Sequence, residues 1–277
     1  MTAWAEVIGD PVAHSLSPRI HRFWLDRLGL AGDYRATRVM ADRLAAHLRE
    51  RRGDPHWRGC NVTVPHKSAV LPLIDRIDPA AERIGAVNCI VAEGGALVGY
   101  NSDVDGIGAA IGNRAFARAV VIGAGGAARA MVDVLAQRGT AITLLARDPG
   151  KAEALAAARP FEAAADAFRG ADLIVNASPL GMTHAPIPGG LIAALGAAPA
   201  DALVFDMVYA PRETALLAAA RARGLPIAQG LTMLIGQARR AFALFYGVAP
   251  PAEADAALLQ RLDDGDIGDA ATLAHRL

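Results

Sequence analysis

Cysteine is nearly absent: Cys60 and Cys89 are the only two in 277 residues. That is too few for a disulfide scaffold, and neither lies in a CxxC pair. Both read as small packed residues rather than nucleophiles. Charge of one sign is not in excess, with 28 Lys+Arg against 28 Asp+Glu. No positive field gathers phosphate backbones, so nucleic acid is not an expected partner. Apolar runs are broken by Asp, Arg or Gly before about 18 residues, which excludes a membrane-spanning helix. The N-terminus lacks a basic stretch followed by an apolar one, so no signal peptide is expected and a cytoplasmic protein is. His14, His21, His47, His56, His66, His184 and His275 form no spaced metal-ligand set, and HExxH is missing, so no metal is expected. A nucleophilic GxSxG elbow is missing as well.

What is present is apolar: 53% of residues, enough to exclude a disordered chain. The pattern alternates short apolar strands with Ala-rich helices. Strands are expected at Ala3–Gly9, Tyr34–Val39, Gly59–Val64 and, as a hairpin, Ala86–Val91 with Ala96–Gly99. Helices are expected at Pro18–Leu28, Ala41–Arg51, Pro72–Ile84 and Asn101–Arg114. From Ala119 the strands become uniformly apolar: Ala119–Gly123, Ala141–Leu145, Asp172–Asn176 and Ala202–Asp206. Helices are expected between them at Ala127–Arg138 and Lys151–Ala158, with Leu231–Tyr246 as a late apolar-striped helix. Such alternation predicts a parallel sheet covered on both faces. The domain boundary is expected in the helix after Asn101, and the polar tail with Asp263, Asp264, Asp266 and Asp269 carries no chemistry.

Gly123-Ala124-Gly125-Gly126-Ala127-Ala128 follows a strand and opens a helix, matching GxGxxA. The first glycine permits a tight turn, the second lets the backbone approach a pyrophosphate, and the last small residue lets helix pack on strand. The phosphates would lie against free helix N–H groups. A turn that is merely small is the competing reading. Where an NAD site commonly offers an acidic residue, this chain reads Leu145-Ala146-Arg147-Asp148-Pro149-Gly150-Lys151. Arg147 and Lys151 suit a 2′-phosphate, which favours NADP; Asp148 would repel that phosphate if it faced it and leaves NAD possible. Asn176-Ala-Ser178-Pro-Leu-Gly-Met182 follows the third apolar strand and borders the nicotinamide, or is an ordinary turn.

The first hundred residues place polar groups at element ends. Ser15 and Ser17 flank Leu16 before Pro18, as ligand hydroxyls or as helix caps. Asn61 and Thr63 share one face of a strand, with Lys67 just beyond. Asn88 ends Gly85-Ala-Val-Asn88, and Asp103 precedes the crossover helix, where a cap is its competing role. This set suits a small polyhydroxylated ligand. A Lys67–Asp103 pair fits alcohol/ketone chemistry, which needs a positioned acid–base group. A nearby carboxylate raises a lysine pKa while desolvation lowers it, and sequence does not decide between them. His66 reads as structural.

Together these stretches resemble the shikimate dehydrogenase family (shikimate 5-dehydrogenase). Ser15-Leu-Ser17-Pro18, Asn61-Val-Thr-Val-Pro-His-Lys67, Gly85-Ala-Val-Asn88, Asn101-Ser-Asp103, Gly123-Ala-Gly-Gly-Ala127, Asn176–Met182, Asp206-Met-Val-Tyr209 and Gly230-Leu-Thr-Met-Leu-Ile-Gly-Gln237 run in family order over residues 5–250. The resemblance implies two α/β domains: an N-terminal substrate domain and a C-terminal Rossmann-like NAD(P)-binding domain with a central parallel sheet. Their expected spans are 1–102 and 103–235, with 236–277 as C-terminal helices returning to the first. It implies reversible NADPH-dependent reduction of 3-dehydroshikimate to shikimate, in a cleft between the domains, in aromatic amino-acid biosynthesis.

By the same resemblance Lys67 and Asp103 are the catalytic pair, and Ser15 and Ser17 hold the substrate carboxylate. Asn61, Thr63, Asn88, Tyr209 and Gln237 bind or enclose the ring. Gly123, Ala124, Gly125, Gly126, Ala127, Ala146, Arg147, Lys151 and Ser178 bind NADP, and Met207, Gly230 and Met233 line the nicotinamide side. The chain departs from the family where Asn-Arg-Thr becomes Ala146-Arg147-Asp148, where Ala210 replaces a common Asn, and where Ser102 replaces Thr. A quinate/shikimate or aminoshikimate enzyme with NAD preference would share nearly all these residues, and a non-catalytic nucleotide sensor is the alternative of a different class. A monomer or homodimer is expected.

Overall fold

The computed structural model describes residues 2–264; within them the chain divides into two units, one holding 2–102 and 237–264, the other 103–236. The expected tail residues Asp266 and Asp269, and the end of the 236–277 span, lie outside the described residues. Among the described residues no helix is long and apolar enough to cross a membrane.

The first unit opens with β1 (Ala3–Gly9), α1 (Ser17–Leu28), β2 (Gly32–Arg38), α2 (Leu44–Arg52), β3 (Trp57–Val62), β4 (Arg76–Ile77), α3 (Pro79–Ile84), β5 (Cys89–Glu93) and β6 (Ala96–Tyr100). Its six-stranded sheet runs β2-β1-β3-β5-β6-β4. β1, β2 and β3 are parallel, β5 is antiparallel to β3 and β6, and β4 is parallel to β6. Period-2 alternation sorts β1 between two cores. Trp4 and Ile8 face a cluster with Leu44, Leu48 and Trp57, while Ala5 and Val7 face one with Tyr34, Cys89 and Phe245.

Glu6 is fully buried on the first of these faces. It accepts hydrogen bonds from Arg51 Nε at 2.9 Å and Trp57 Nε1 at 3.1 Å, with His47 Nε2 at 3.0 Å and the Thr37 hydroxyl on its other oxygen. Burial pushes its carboxyl up, but the His47 and Thr37 bonds and the charges of His47 and Arg51 outweigh that and hold it low.

The opposite face gathers the aromatics. His21 stacks on Tyr34 with ring centroids 3.9 Å apart and planes 17° from parallel. Trp24 meets Phe242 edge-on at 5.6 Å, and the Tyr246 hydroxyl donates to the Asp33 carbonyl at 2.8 Å. These contacts clamp α1 and β2 with the late helix described below. His21 Nδ1 lies 2.9 Å from the Ser17 carbonyl, so that nitrogen carries the proton. Its Nε2 is buried with no partner among the described residues. Burial drives His21 down to a pKa of about 3.

The second unit holds α4 (Asp103–Ile111), β7 (Arg118–Ile122), α5 (Gly126–Gln137), β8 (Ala141–Leu145), α6 (Pro149–Ala152), β9 (Ala158–Arg159), α7 (Ala164–Phe168), β10 (Leu173–Asn176), α8 (Gly189–Ala194), β11 (Leu203–Asp206), α9 (Ala215–Ala222) and β12 (Ile227–Gln229). Its six strands are all parallel, in the order β12-β11-β10-β7-β8-β9. Read from the β9 edge this is the doubly wound order 3-2-1-4-5-6, with the switch point between β7 and β10. α7, α8 and α9 cover one face through Phe168, Leu191, Leu216 and Leu217, and α5 packs on β7 and β8 and against α4. α10 (Gly230–Tyr246) follows, its residues up to Gly236 counted with the second unit and the rest with the first; α11 (Asp255–Asp264) ends the described chain.

Three expected helices are corrected. Pro72–Ile84 is not one helix: a 3₁₀ turn at Leu71–Leu73 and strand β4 precede α3, which starts where the Asp78 side chain accepts the Ala80 N–H at 2.9 Å and Pro79 takes the first helical position. Lys151–Ala158 is not one helix: α6 starts earlier, at the Asp148 cap and Pro149, ends at Ala152, and β9 follows. Ala41–Arg51 begins as a 3₁₀ turn before α2.

The unfolded chain takes up a proton at His21 near its ordinary value of 6.5, the folded chain only near 3. Acid therefore favours unfolding: the stability tied to this residue is complete above pH 6.5 and is lost as pH falls towards 3. Between pH 6.5 and about 5 the wild type should lose about 2 kcal/mol of unfolding free energy that His21→Phe does not lose. Urea unfolding at several pH values checks this; equal pH slopes for both proteins would count against it.

Candidate functional site

In the first unit the sheet ends bring several polar side chains together. Asn61 sits one residue before the end of β3, on the Ala5 and Val7 face. Its Oδ1 accepts the Tyr34 hydroxyl at 2.6 Å, and its Nδ2 donates to the Asn88 carbonyl at 3.3 Å. Asn88 Oδ1 accepts the Ser102 amide at 2.7 Å and lies 3.2 Å from the Ser102 hydroxyl. That hydroxyl also lies 3.4 Å from Gln237 Oε1 on α10. Its single proton serves one of the two acceptors at a time. Asn61, Asn88 and Gln237 thus form one connected polar group, with Ser102 as the joint. All four are buried.

Thr63, half-buried, follows β3 and is placed by its amide, which donates to the Ile8 carbonyl at 2.9 Å. Gly9 makes room for it: a Cβ there would overlap Thr63 Cγ2 and crowd the Val64 carbonyl. Lys67 lies just beyond, half-buried, its carbonyl accepting the Val87 amide at 2.8 Å, so the Lys67 loop is tied to the strand approach that carries Asn88. His66 is buried with Nε2 2.6 Å from the Val39 carbonyl, a structural anchor for the same loop. Ser15 and Ser17 stand at the start of α1. Leu16 takes the N-cap position without a side-chain bond, and the Ser17 amide donates to Ser15 Oγ at 3.3 Å. Cys60 is buried on the opposite face from Asn61, and burial pushes its thiol well up; Cys89 is packed among apolar residues. Neither is placed to be a nucleophile.

In the second unit the expected glycine turn, Gly123–Ala127, and Ser178 meet at the switch point. Gly123 has φ +114°, and a Cβ there would come within 3.1 Å of the Ala177 carbonyl and Ser178. Glycine is thus required both by backbone conformation and by the approach of the loop after β10. Ala124 and Gly125 complete the turn; Gly125 is the N-cap of α5 and offers no side-chain cap. The first-turn amides, including those of Gly126 and Ala127, have no partner within the helix. Ala128 is fully buried against the sheet. This is the geometry an anionic pyrophosphate needs.

The charge balance after β8 bears on which dinucleotide fits. Ala146 is buried, and Arg147 is exposed with no hydrogen-bond or ion-pair partner among the described residues. Asp148 Oδ1 caps α6 by accepting the Lys151 amide at 3.4 Å, and its Oδ2 pairs with Lys151 Nζ at 2.9 Å. The Lys151 hydrogen bond is also what holds the Asp148 carboxyl below its usual range. Asp148 pairs at the surface with Lys151, while Arg147 has no partner among the described residues. A 2′-phosphate fits this arrangement better than a bare ribose diol.

The loop after β10 is organised from within. The Ser178 hydroxyl donates to Asn176 Oδ1 at 2.7 Å and accepts the Leu180 amide at 3.2 Å. Asn176 Nδ2 donates to Asp206 Oδ1 at 2.9 Å, and Asp206 also accepts from the Thr214 hydroxyl at 2.7 Å and the Val208 amide at 3.0 Å. Burial lifts the Asp206 carboxyl, against those bonds. Met207 follows, its amide on the Asn176 carbonyl at 2.9 Å. Gly230 packs so closely on Met207 and Val208 that a Cβ would overlap the Met207 carbonyl. Met233 is buried one turn further along α10, and burial raises the Tyr209 phenol. Asp103 is buried as the first residue of α4.

Three participants carry little or no signal in the sequence: Tyr34 as a partner of Asn61, Asn101, whose Nδ2 donates to the Ala86 carbonyl at 2.8 Å, and Ser102 as the bridge. Only the Asn-Ser-Asp run before a helix start points to the last two.

Comparison with known proteins bears on both units. A family model described as the shikimate dehydrogenase substrate binding domain matches residues 7–90, and one described as NADP oxidoreductase, coenzyme F420-dependent, matches residues 118–195. The shikimate dehydrogenase (NADP(+)) of Sphingopyxis alaskensis is 48% identical over 256 residues, 90% of this chain and 92% of its own. The structure of shikimate 5-dehydrogenase from Thermus thermophilus in complex with NADP(H) and shikimate is similar with a TM-score of 0.82 at 37% identity, covering 94% of this chain and 99% of that one. Quinate dehydrogenase from Corynebacterium glutamicum in complex with NAD gives a TM-score of 0.80 at 30% identity, covering 94% and 99%. With a sheet-end polar group in one unit, a glycine turn at the switch point of the other, and identity of this extent over nearly the whole chain, the chain belongs to the shikimate dehydrogenase family.

Proposed function

We propose that the protein is an NADP-dependent shikimate dehydrogenase, reversibly reducing the ketone of 3-dehydroshikimate to the hydroxyl of shikimate, a step of aromatic amino-acid biosynthesis. The observation that carries this reading is the connected group Asn61–Asn88–Ser102–Gln237. It is a rigid row of amide and hydroxyl groups suited to a ring of hydroxyls. The 48% identical relative carries the same activity in its name, and the Thermus thermophilus structure holds both NADP(H) and shikimate.

NADPH, when bound, supplies the hydride that reduces the carbonyl carbon. The chain's own residues do the rest. Ser15 and Ser17 take the substrate carboxylate, and Asn61, Thr63, Asn88 and Gln237 hold ring oxygens. Lys67 donates a hydrogen bond to the carbonyl oxygen and gives it a proton as the alcohol forms. Asp103 orients Lys67 and the same hydroxyl. In the reverse direction the pair takes the hydroxyl proton as hydride leaves. The first-turn amides of α5 take the pyrophosphate, Arg147 takes the 2′-phosphate, and Met207, Tyr209, Gly230 and Met233 form the wall against the nicotinamide. A quinate enzyme preferring NAD would call on Asp148 to meet the ribose; the exposed Arg147, which pairs with none of the described residues, favours a 2′-phosphate instead. The same reading makes this a cytoplasmic enzyme, monomeric or homodimeric; equal numbers of acidic and basic residues favour no nucleic-acid partner.

Lys67→Ala should lower kcat by about 10²- to 10⁴-fold while NADPH binding, read by cofactor fluorescence, stays unchanged. A kcat equal to wild type would remove Lys67 from the proton transfer. Arg147→Ala should weaken NADP⁺ by about 10- to 100-fold, the cost of a lost charge-assisted hydrogen bond, and leave NAD⁺ use nearly unaltered. Equal losses with both cofactors would mean that Arg147 does not meet the phosphate.

A further inference from the structure

Tyr34 is remote from every motif, yet its hydroxyl ends on the candidate substrate residue Asn61. The two are separated by strand β1. Tyr34 on β2 is registered with Ala5, and Asn61 on β3 with Val7. The phenol therefore crosses β1 diagonally, on the face that carries Ala5 and Val7. Tyr34 is fully buried and stacked on His21. His21 is anchored in turn to the carbonyl of Ser17 at the start of α1.

The geometry determines how Asn61 is presented. Turned the other way, its Oδ1 would face the Asn88 carbonyl, acceptor against acceptor; as placed, Nδ2 donates to that carbonyl and Oδ1 takes the Tyr34 proton. Burial lifts the Tyr34 phenol well above the usual tyrosine range, so its hydroxyl remains a donor throughout the working pH range. With both contacts made, the amide keeps one N–H for a ligand.

We infer that Tyr34 is a positioning residue for substrate recognition: by donating to Asn61 Oδ1 from across β1, it locks the amide so that Asn61 offers an N–H to an acceptor oxygen of the substrate. This rests on the reading that Asn61 contacts the substrate. Without the hydroxyl, Oδ1 becomes a buried acceptor in need of a partner, and the amide is no longer pre-oriented.

A double-mutant cycle on the full-length protein tests this, with KM for shikimate, KM for NADP⁺, kcat and Tm measured for Tyr34→Phe, Asn61→Ala and the double variant. Tyr34→Phe keeps the ring and its stacking. It should raise KM for shikimate about 3- to 10-fold, the worth of one neutral hydrogen bond, and leave KM for NADP⁺ unchanged. Asn61→Ala should raise KM for shikimate at least as much, and adding Tyr34→Phe to it should have no further effect on that KM. If Asn61→Ala raises KM for shikimate and Tyr34→Phe alone does not, or if the two effects simply add, Tyr34 is a packing residue and the inference is overturned. If Asn61→Ala itself leaves KM for shikimate unchanged, the contact of Asn61 with substrate falls, and the positioning role with it.

Discussion

The first unit depends on the way one buried residue, Asn88, meets the demands of three separate stretches of backbone. Its main-chain amide donates to the Tyr100 carbonyl at 3.0 Å, its main-chain carbonyl accepts the Val62 amide at 2.8 Å, and its side-chain Oδ1 accepts the Ser102 amide at 2.7 Å. The ends of β3 and β6 and the residue before Asp103 are therefore fixed to one point. Buried backbone groups left unpaired cost about 1–3 kcal/mol each, so an apolar residue at 88 would leave the Ser102 amide without its acceptor. The polar group proposed to hold the substrate is built from the same bonds that close the sheet. On that proposal one network serves both recognition and folding, and a substitution at Asn88 acts on both.

The second unit solves a different problem. A doubly wound sheet opens a crevice where strand order reverses, and the residues at β7 and β10 must come close without side chains between them. Gly123 meets that requirement through its positive φ and its contact with Ala177 and Ser178. The loop after β10 then holds its shape through Asn176, Asp206 and Thr214. On the proposed function, cofactor preference is set by charge balance at the end of β8. Asp148 looks adverse to a phosphate, but its carboxylate is shared between the α6 amide and Lys151. The departure from the family's Asn-Arg-Thr is thereby compatible with NADP, because Arg147 retains a charge that none of the described residues pairs with.

Much of this was legible in the chain. β1 and β8 lie where period and composition placed them, at Ala3–Gly9 and Ala141–Leu145. The glycine motif announced the switch-point turn because only a strand–turn–helix context gives it meaning. Two-residue strands such as β4 and β9 left no trace, since pairing and not propensity makes them. The Asp78-Pro79 and Asp148-Pro149 helix starts were in the sequence as cap-and-proline signals, but long Ala- and Leu-rich runs around them suggested longer helices. The Tyr34–Asn61 bond spans 27 residues and a whole intervening strand, and no local pattern encodes such a contact.

Substrate and cofactor assignment meet in a four-way matrix of initial rates at 340 nm, with shikimate or quinate against NADP⁺ or NAD⁺. kcat/KM should be highest for shikimate with NADP⁺, and NAD⁺ should be the poorer cofactor with either substrate. Preference for NAD⁺ would contradict the assignment of Arg147 and the neutralised role of Asp148, and preference for quinate would contradict the substrate; absence of turnover in all four combinations would contradict the enzyme itself.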